Sequence, residues 1–240
     1  MAKERAQKVI AQSGVMSRRK AEEAIAEGRV TLNGEVFTQM GTLVEPETDL
    51  LTVDGNPVQI KTVKRTFLFY KPRDIVTTKK DEFDRPTVME YFKDIPSVNP
   101  VGRLDADSEG LLLMSEDGDL HLKLTHPRYE IEKVYEVDVE DRLLESTLAE
   151  LTKEVILDDG PGHFDRIEFK GEAGELRDST YLVTVSEGRN RFVRRMFQAM
   201  GTRVSRLKRI RMGEFEIGEL KPGERIEVFP KPQNFDAKKL

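Results

Sequence analysis

The sequence predicts an α+β protein: a small N-terminal helix–helix–strand unit, then a larger mixed domain built on a mainly antiparallel sheet. Three observations carry this. Helical and β-like runs do not alternate regularly along the chain, which argues against a doubly wound fold. Two turn dipeptides, Asn33-Gly34 and Asp54-Gly55, each separate short β-like runs, the pattern of a tight hairpin. A polar, basic stretch without periodicity, QIKTVKR, divides the first part of the chain from the rest.

In ERAQKVIAQSGVMS, Ala6, Val9 and Ile10 recur at helical spacing and Gly14 supplies a stop. Ser17 is placed to cap a second helix, RRKAEEAIAEG, that ends at Gly28. VTLNGEVF, LLTV and NPVQI then read as strands around the two turns. The expected division is a compact unit over residues 1–60, a linker at 61–65, a larger domain over 66–232 and a loose tail at 233–240. In the larger domain TFLFY, VYEVDV, STYLVTVS and RIEVF read as strands. Helices are expected around DLHLKL, LESTLAELT and NRFVRRMFQAM. VGRL reads as a short strand and LLLMS as a buried one, with a loop between them.

At 240 residues with 35% charged and 38% hydrophobic side chains, the composition is that of a globular protein with a proper core. No run approaches the length of a membrane span, and the N-terminus has no apolar signal core. The expected location is the cytoplasm, with no membrane partner. The absence of cysteine excludes disulfides, thiolate catalysis and cysteine-ligated zinc. The net charge of −5 is unevenly spread. From Glu187 to Arg211 there are nine bases against one acid, and from Lys3 to Arg29 seven bases against four acids. A single basic cluster is as readily a solvated face as a binding surface. Two on an acidic chain point toward nucleic acid. Arg18, Arg19 and Lys20 occupy the first turn of the second helix, the end where the helix dipole favours acids. That choice suits a grip on phosphate. In the other cluster Val193, Met196, Phe197 and Met200 form one buried stripe. This leaves Arg191, Arg194 and Arg195 for other faces, and an arginine beside that stripe calls for a carboxylate partner.

Residues 102–118, GRLDADSEGLLLMSEDG, offer carboxylates. Asp105, Asp107, Glu109, Gly110 and Glu116 nearly match a calcium-loop template. The preceding DIPSVNPVGRL cannot form the helix such a loop requires, so calcium is set aside. A paired-carboxylate hydrolase needs a separation in space that local spacing does not give. The remaining reading is one functional aspartate in a loop between strands.

These residues resemble the active-site motif of RNA pseudouridine synthases of the RsuA/RluB type. FYKPR at 69–73, HPRYEIEKVYEV at 126–137 and SEGRNRFVRRMF at 186–197 agree in order. Residues 4–58 resemble an S4 RNA-binding domain through Gln7-Lys8-Val9-Ile10-Ala11, Gly14, the run Ser17 to Ala21, and Gly28 to Gly34. The resemblance implies an enzyme that turns uridine in RNA into pseudouridine. The C1′–N1 bond breaks and C1′ bonds to C5, with no cofactor and no metal. It implies a central RNA-binding cleft, Asp105 as the catalytic aspartate, Arg194 as its basic partner holding it charged, and Tyr135 as the active-site tyrosine. If the register slips by one, Arg195 takes the place of Arg194. Arg103 is expected on one face with Asp105, filling the gap left by a flipped-out base. Lys71, Arg73 and Arg128 are expected phosphate contacts, with Arg191, Arg195, Arg18, Arg19 and Lys20 adding to the RNA surface. Asp107, Glu109, Glu116 and Asp117 are expected to point away or to pair with arginines. The implied partner is ribosomal RNA or a pre-ribosomal particle, acted on by a monomer. QKVIAQSGVMSRRKAEE is similar to large-subunit (23S) enzymes and RPTVMEYF to the small-subunit (16S) branch, with the former favoured. The rival reading is a non-catalytic RNA-binding or ribosome-assembly factor, which gives Asp105 no special task.

Overall fold

A computed structural model of the chain describes residues 3–59, 64–140, 142–173 and 178–229. The expected tail at 233–240 and most of the expected linker lie outside the described residues. The chain divides into two compact units, residues 1–64 with 116–118, and residues 65–115 with 119–240. No helix among the described residues is long and apolar enough to cross a membrane.

The first unit holds β1 (Glu4–Arg5), α1 (Ala6–Ser13), α2 (Arg18–Ala26), β2 (Val30–Leu32), β3 (Glu35–Val36), β4 (Leu43–Val44), β5 (Leu51–Val53) and β6 (Asn56–Pro57). Gly14 ends α1 in the left-handed region at φ 82°, where a side chain is disfavoured. The Ser17 hydroxyl accepts the Lys20 N–H and caps α2. Asn33 and Gly34 (φ 53° and 90°) turn β2 into β3, and Asp54 and Gly55 (φ 51° and 78°) turn β5 into β6. Both are the left-handed pairs that a two-residue hairpin demands. Ala6, Val9, Ile10, Ala21, Ala24 and Ile25 pack against Val30, Leu51 and Val53 as a small core.

The second unit contains β7 (Thr66–Lys71), β8 (Asn99–Val101), β9 (Glu109–Ser115), α3 (Gly118–Thr125), β10 (Lys133–Val139), α4 (Glu145–Leu151), β11 (Val155–Leu157), β12 (Gly160–Gly162), β13 (Arg166–Ala173), β14 (Asp178–Val185), α5 (Phe192–Ala199), β15 (Val204–Met212), β16 (Phe215–Glu216) and β17 (Arg225–Val228). Seven strands run in the order β13-β14-β10-β15-β9-β7-β17, with β16 beside β15 and β8 beside β9. All pairings are antiparallel except β9 with β15. All seven residues of β9 are buried because both its faces are covered. Leu112 and Met114 enter one core, Leu111 and Leu113 another. On α5 the expected stripe is present, with Val193, Met196 and Phe197 buried, Met200 packed at its margin, and Phe192 added. Phe197 stacks near Phe164 and Tyr181, at centroid distances of 5.4 and 6.3 Å.

The strand β15 is not among the strands the sequence predicts, where its residues stand out only as basic charge. Its cations serve largely as cross-strand partners. Arg206 Nε donates to Glu109 at 2.6 Å, Lys208 lies 3.5 Å from Glu136, and Arg211 donates to Glu132 at 3.1 Å. Buried Val204, Leu207 and Met212 anchor the strand.

Candidate active site

Asp105 stands on the loop from Gly102 to Ser108 that joins β8 to β9. Residues 103–105 lie outside any strand, yet buried Leu104 separates exposed Arg103 from half-buried Asp105. The loop is held from three sides. Thr77 Oγ1 donates to the Leu104 carbonyl at 2.6 Å and accepts the Leu104 N–H at 3.3 Å. Lys71 Nζ donates to the carbonyls of Ser108 (2.7 Å), Pro72 (2.8 Å) and Ala106 (3.4 Å). Arg194 donates to the carbonyls of Asp107 (3.0 Å) and Val204 (3.1 Å) and to Ser108 Oγ (3.4 Å).

Two expectations change here. Lys71 is fully buried and is not a phosphate contact. Its ammonium is spent on backbone carbonyls that the fold brings to it. Burial pushes its pKa down to about 8, against the pull of Asp107 and Asp105. The expected ion pair between Arg194 and Asp105 is replaced by another. The guanidinium of Arg191 lies 3.7 Å from an Asp105 oxygen, whereas Arg194 Nε lies 3.4 Å from Asp107. Helix register explains the exchange. Arg191 caps α5 in the left-handed region at φ 48° and reaches the loop first. Arg194, one turn later, is 11% exposed, lies outside the cleft lining and meets the loop backbone.

Arg191 also holds Asp107 through two hydrogen bonds, at 2.9 and 3.2 Å. Burial pushes the Asp107 carboxyl up, but hydrogen bonding from Arg191 and the charges of Arg194 and Arg191 outweigh it and hold the group below the usual carboxylate range. Glu109, the third acid of the calcium-like pattern, faces elsewhere: it accepts from Tyr70 Oη at 3.0 Å and from Arg206. Arg195 is a further correction. Its guanidinium makes two 2.8 Å bonds to Asp159 and one to the Asn190 carbonyl, so it braces the start of α5 rather than facing Asp105.

A cleft of about 690 Å³ opens beside Asp105. Arg103, Asp105, Lys133, Tyr135, Arg191 and Arg209 contribute to its lining, and Lys71, Arg73, Arg128, Arg194 and Arg195 do not. Arg73 and Arg128 are exposed, the latter stacked 4.5 Å from the centroid of the Tyr129 ring. In the first unit Arg18, Arg19 and Lys20 are exposed on the opening turn of α2. Tyr135 sits on β10 directly across from Arg209 on β15. The pairing slips by one residue there, because Val134 meets Arg211 while Tyr135 meets Arg209. This bulge leaves both Arg209 and Met212 on the cleft side. Two lining residues, Lys133 and Arg209, were missed from the sequence. Lys133 was legible, since it lies two places before Tyr135 and shares its face. Arg209 required the unrecognised strand. No group of three or more His, Cys, Asp or Glu side chains suited to a metal occurs among the described residues.

Comparison with known proteins agrees with this architecture. Residues 65–199 match the family model described as RNA pseudouridylate synthase, and residues 4–51 match the S4 domain. An "Uncharacterized RNA pseudouridine synthase" of Aquifex aeolicus is 41% identical over 93% of this chain and 90% of its own. "Ribosomal large subunit pseudouridine synthase B" of Bacillus subtilis is 40% identical over 95% and 93%. A solved structure described as a pseudouridylate synthase superposes with a TM-score of 0.64 at 28% identity, covering 94% of this chain and 96% of that one. With more than half of its length matched by the synthase model and close relatives along nearly all of it, the chain belongs to the RNA pseudouridylate synthase family, with an S4 domain preceding the synthase region.

Proposed function

We propose that the cleft isomerises a uridine of ribosomal RNA, the large-subunit RNA before the small, and that Asp105 is the carboxylate acting at the ribose. The observation that carries this is the placement of one carboxylate, 32% exposed, on the wall of a nucleoside-sized cleft beside Tyr135, with Arg191 3.7 Å away as counter-charge. Cleavage of the glycosidic bond develops positive charge on the sugar, which a carboxylate stabilises or captures. The target base must leave its stack to reach the cleft. Tyr135 presents a ring against which the everted base packs, and exposed Arg103 at the lining is placed to fill the vacated gap. Arg194 acts through the loop it holds and is a positioning residue. The name carried by the Bacillus relative supports ribosomal RNA as the substrate.

In this reading residues 1–60 tether RNA through Arg18, Arg19 and Lys20, and residues 66–232 carry the chemistry. In the same reading the protein acts as a monomer. The test is to incubate the protein with unmodified transcripts of both ribosomal RNAs and map pseudouridine by a specific chemical label. A new pseudouridine in the large-subunit transcript is expected. Folded protein that yields none in either transcript overturns the proposal. Removing residues 1–60 should raise the Kd for RNA more than it slows the bound reaction, because a tether acts through effective concentration.

A further inference from the structure

Arg209 is set apart from the other cations of its stretch. From Arg189 to Arg211 the chain carries nine bases. Eight of them have a carboxylate oxygen at 3.8 Å or closer. Arg209 has none among the described residues, although it is the most buried, at 2% exposure. Its Nε donates to the Leu111 carbonyl at 2.8 Å, and its Nη2 is buried without a hydrogen-bond partner. A buried guanidinium left partly unsatisfied is costly, and this one lies on the cleft side of β15, across from Tyr135. Lys133 stands beside it on the same side. Among the described residues its Nζ hydrogen-bonds only to the carbonyls of Ile131 (2.8 Å) and Ser186 (3.1 Å), with the Asp165 and Glu187 carboxylates acting on it from further off. Burial, and then the charge of Arg209, push the Lys133 pKa down to about 8. The far wall of the cleft thus carries two cations whose nearest acceptors are neutral.

We infer that Arg209, with Lys133 beside it, receives the carbonyl oxygens of the target pyrimidine and holds the negative charge the ring takes up when its bond to ribose breaks. This rests on the proposed uridine isomerisation and adds a substrate-contacting residue to it. The C1′–N1 bond breaks with its electron pair leaving on N1, and conjugation carries that charge to O2 and O4. Once the ring has turned, C5 returns a pair to C1′ and the C1′–C5 bond forms. The C5 proton is lost and N1 gains one, so the sum is an isomerisation without oxidant or reductant. A ring neutral in the ground state and anionic after cleavage draws more from a fixed cation as the reaction proceeds, which is the condition for rate enhancement. A guanidinium offers donors only. It therefore suits the O4 of uracil and mismatches the C4 amino group of cytosine.

The test is single-turnover conversion of a short RNA bearing the mapped uridine, at saturating protein, with the Kd for that RNA measured separately. Arg209→Met should slow conversion about 100-fold while the Kd moves by less than about threefold. The defect should shrink when the target is 5-fluorouridine and cleavage of C1′–N1 is followed, because fluorine makes the ring a better leaving group. A merely structural role slows both substrates equally, and that outcome overturns the inference. So does a folded Arg209→Met protein converting uridine at the wild-type rate. Should Arg209→Met not fold, Arg209→Lys and Lys133→Met give the same reading: each is expected to lose about tenfold, and wild-type rates in both overturn it. A wild-type protein that converts no uridine removes the functional proposal itself, a result distinct from any of these.

Discussion

The two faces of the β10–β15 ladder carry similar charged side chains and handle them differently. On the face opposite the cleft every cation meets a carboxylate: Lys208 with Glu136, and Arg206 with Glu109 and Asp138. On the cleft face Lys133 and Arg209 hydrogen-bond only to carbonyls among the described residues. The number of basic residues in a stretch therefore says little about ligand binding. What matters is which charges the fold leaves uncompensated, because those are the ones a substrate can complete.

The strand junction that sets these faces can be broken most severely at Gly110. It adopts φ +102°, and a Cβ there would lie 2.3 Å from the Arg209 carbonyl oxygen where β9 meets β15. Gly110→Ala is expected to cost about 3 kcal/mol or more, read from denaturant unfolding. A loss below about 1 kcal/mol would show that the junction tolerates spreading.

A smaller effect is expected at Lys71. Replacing it by Met strips partners from up to three loop carbonyls, at a cost of about 2 kcal/mol. The pH dependence has a definite sign. Below pH 8 the ammonium is charged in folded and unfolded chains alike, and the burial penalty is fully present. As pH rises from about 8 toward the ordinary 10.5, the folded protein has released the proton and the unfolded chain has not. Stability of the wild type relative to Lys71→Met should therefore rise across that window. A flat difference would mean the group is not depressed.

The smallest effect is expected on the face opposite the cleft. Glu136→Gln removes the partner of a part-exposed lysine and should change stability by less than about 0.5 kcal/mol, with conversion unchanged. A large loss of activity there would erase the distinction between the faces.

Much of this was readable in the residues because its causes are local. Asn33-Gly34 and Asp54-Gly55 announced their turns through backbone freedom, Ser17 its cap, and the Val193–Met200 stripe its buried helix face. The motif also marked Asp105 and Tyr135, which line one cleft. What stayed hidden depends on long-range register. The carbonyls of Ala106 and Ser108 that capture Lys71 lie 35 and 37 residues away, and nothing near Lys71 signals them. Whether Arg191 or Arg194 reaches Asp105 turns on the starting angle of α5, set by Arg191 in the left-handed region. The strand β15 was masked because cross-strand ion pairs and an RNA surface look alike as a run of arginines.

Under the proposed function one acid of the loop acts on substrate while its neighbour two places on holds the loop. Asp105 accepts no hydrogen bond from a side chain among the described residues, whereas Asp107 is gripped by Arg191 and approached by Arg194. The direct test compares Asp105→Asn with Asp107→Asn, measuring Tm and the single-turnover rate of pseudouridine formation on the same RNA. Asp105→Asn is expected to keep its Tm and lose at least about 1000-fold in rate, and Asp107→Asn to lose Tm while still converting uridine. Wild-type conversion by Asp105→Asn would contradict it.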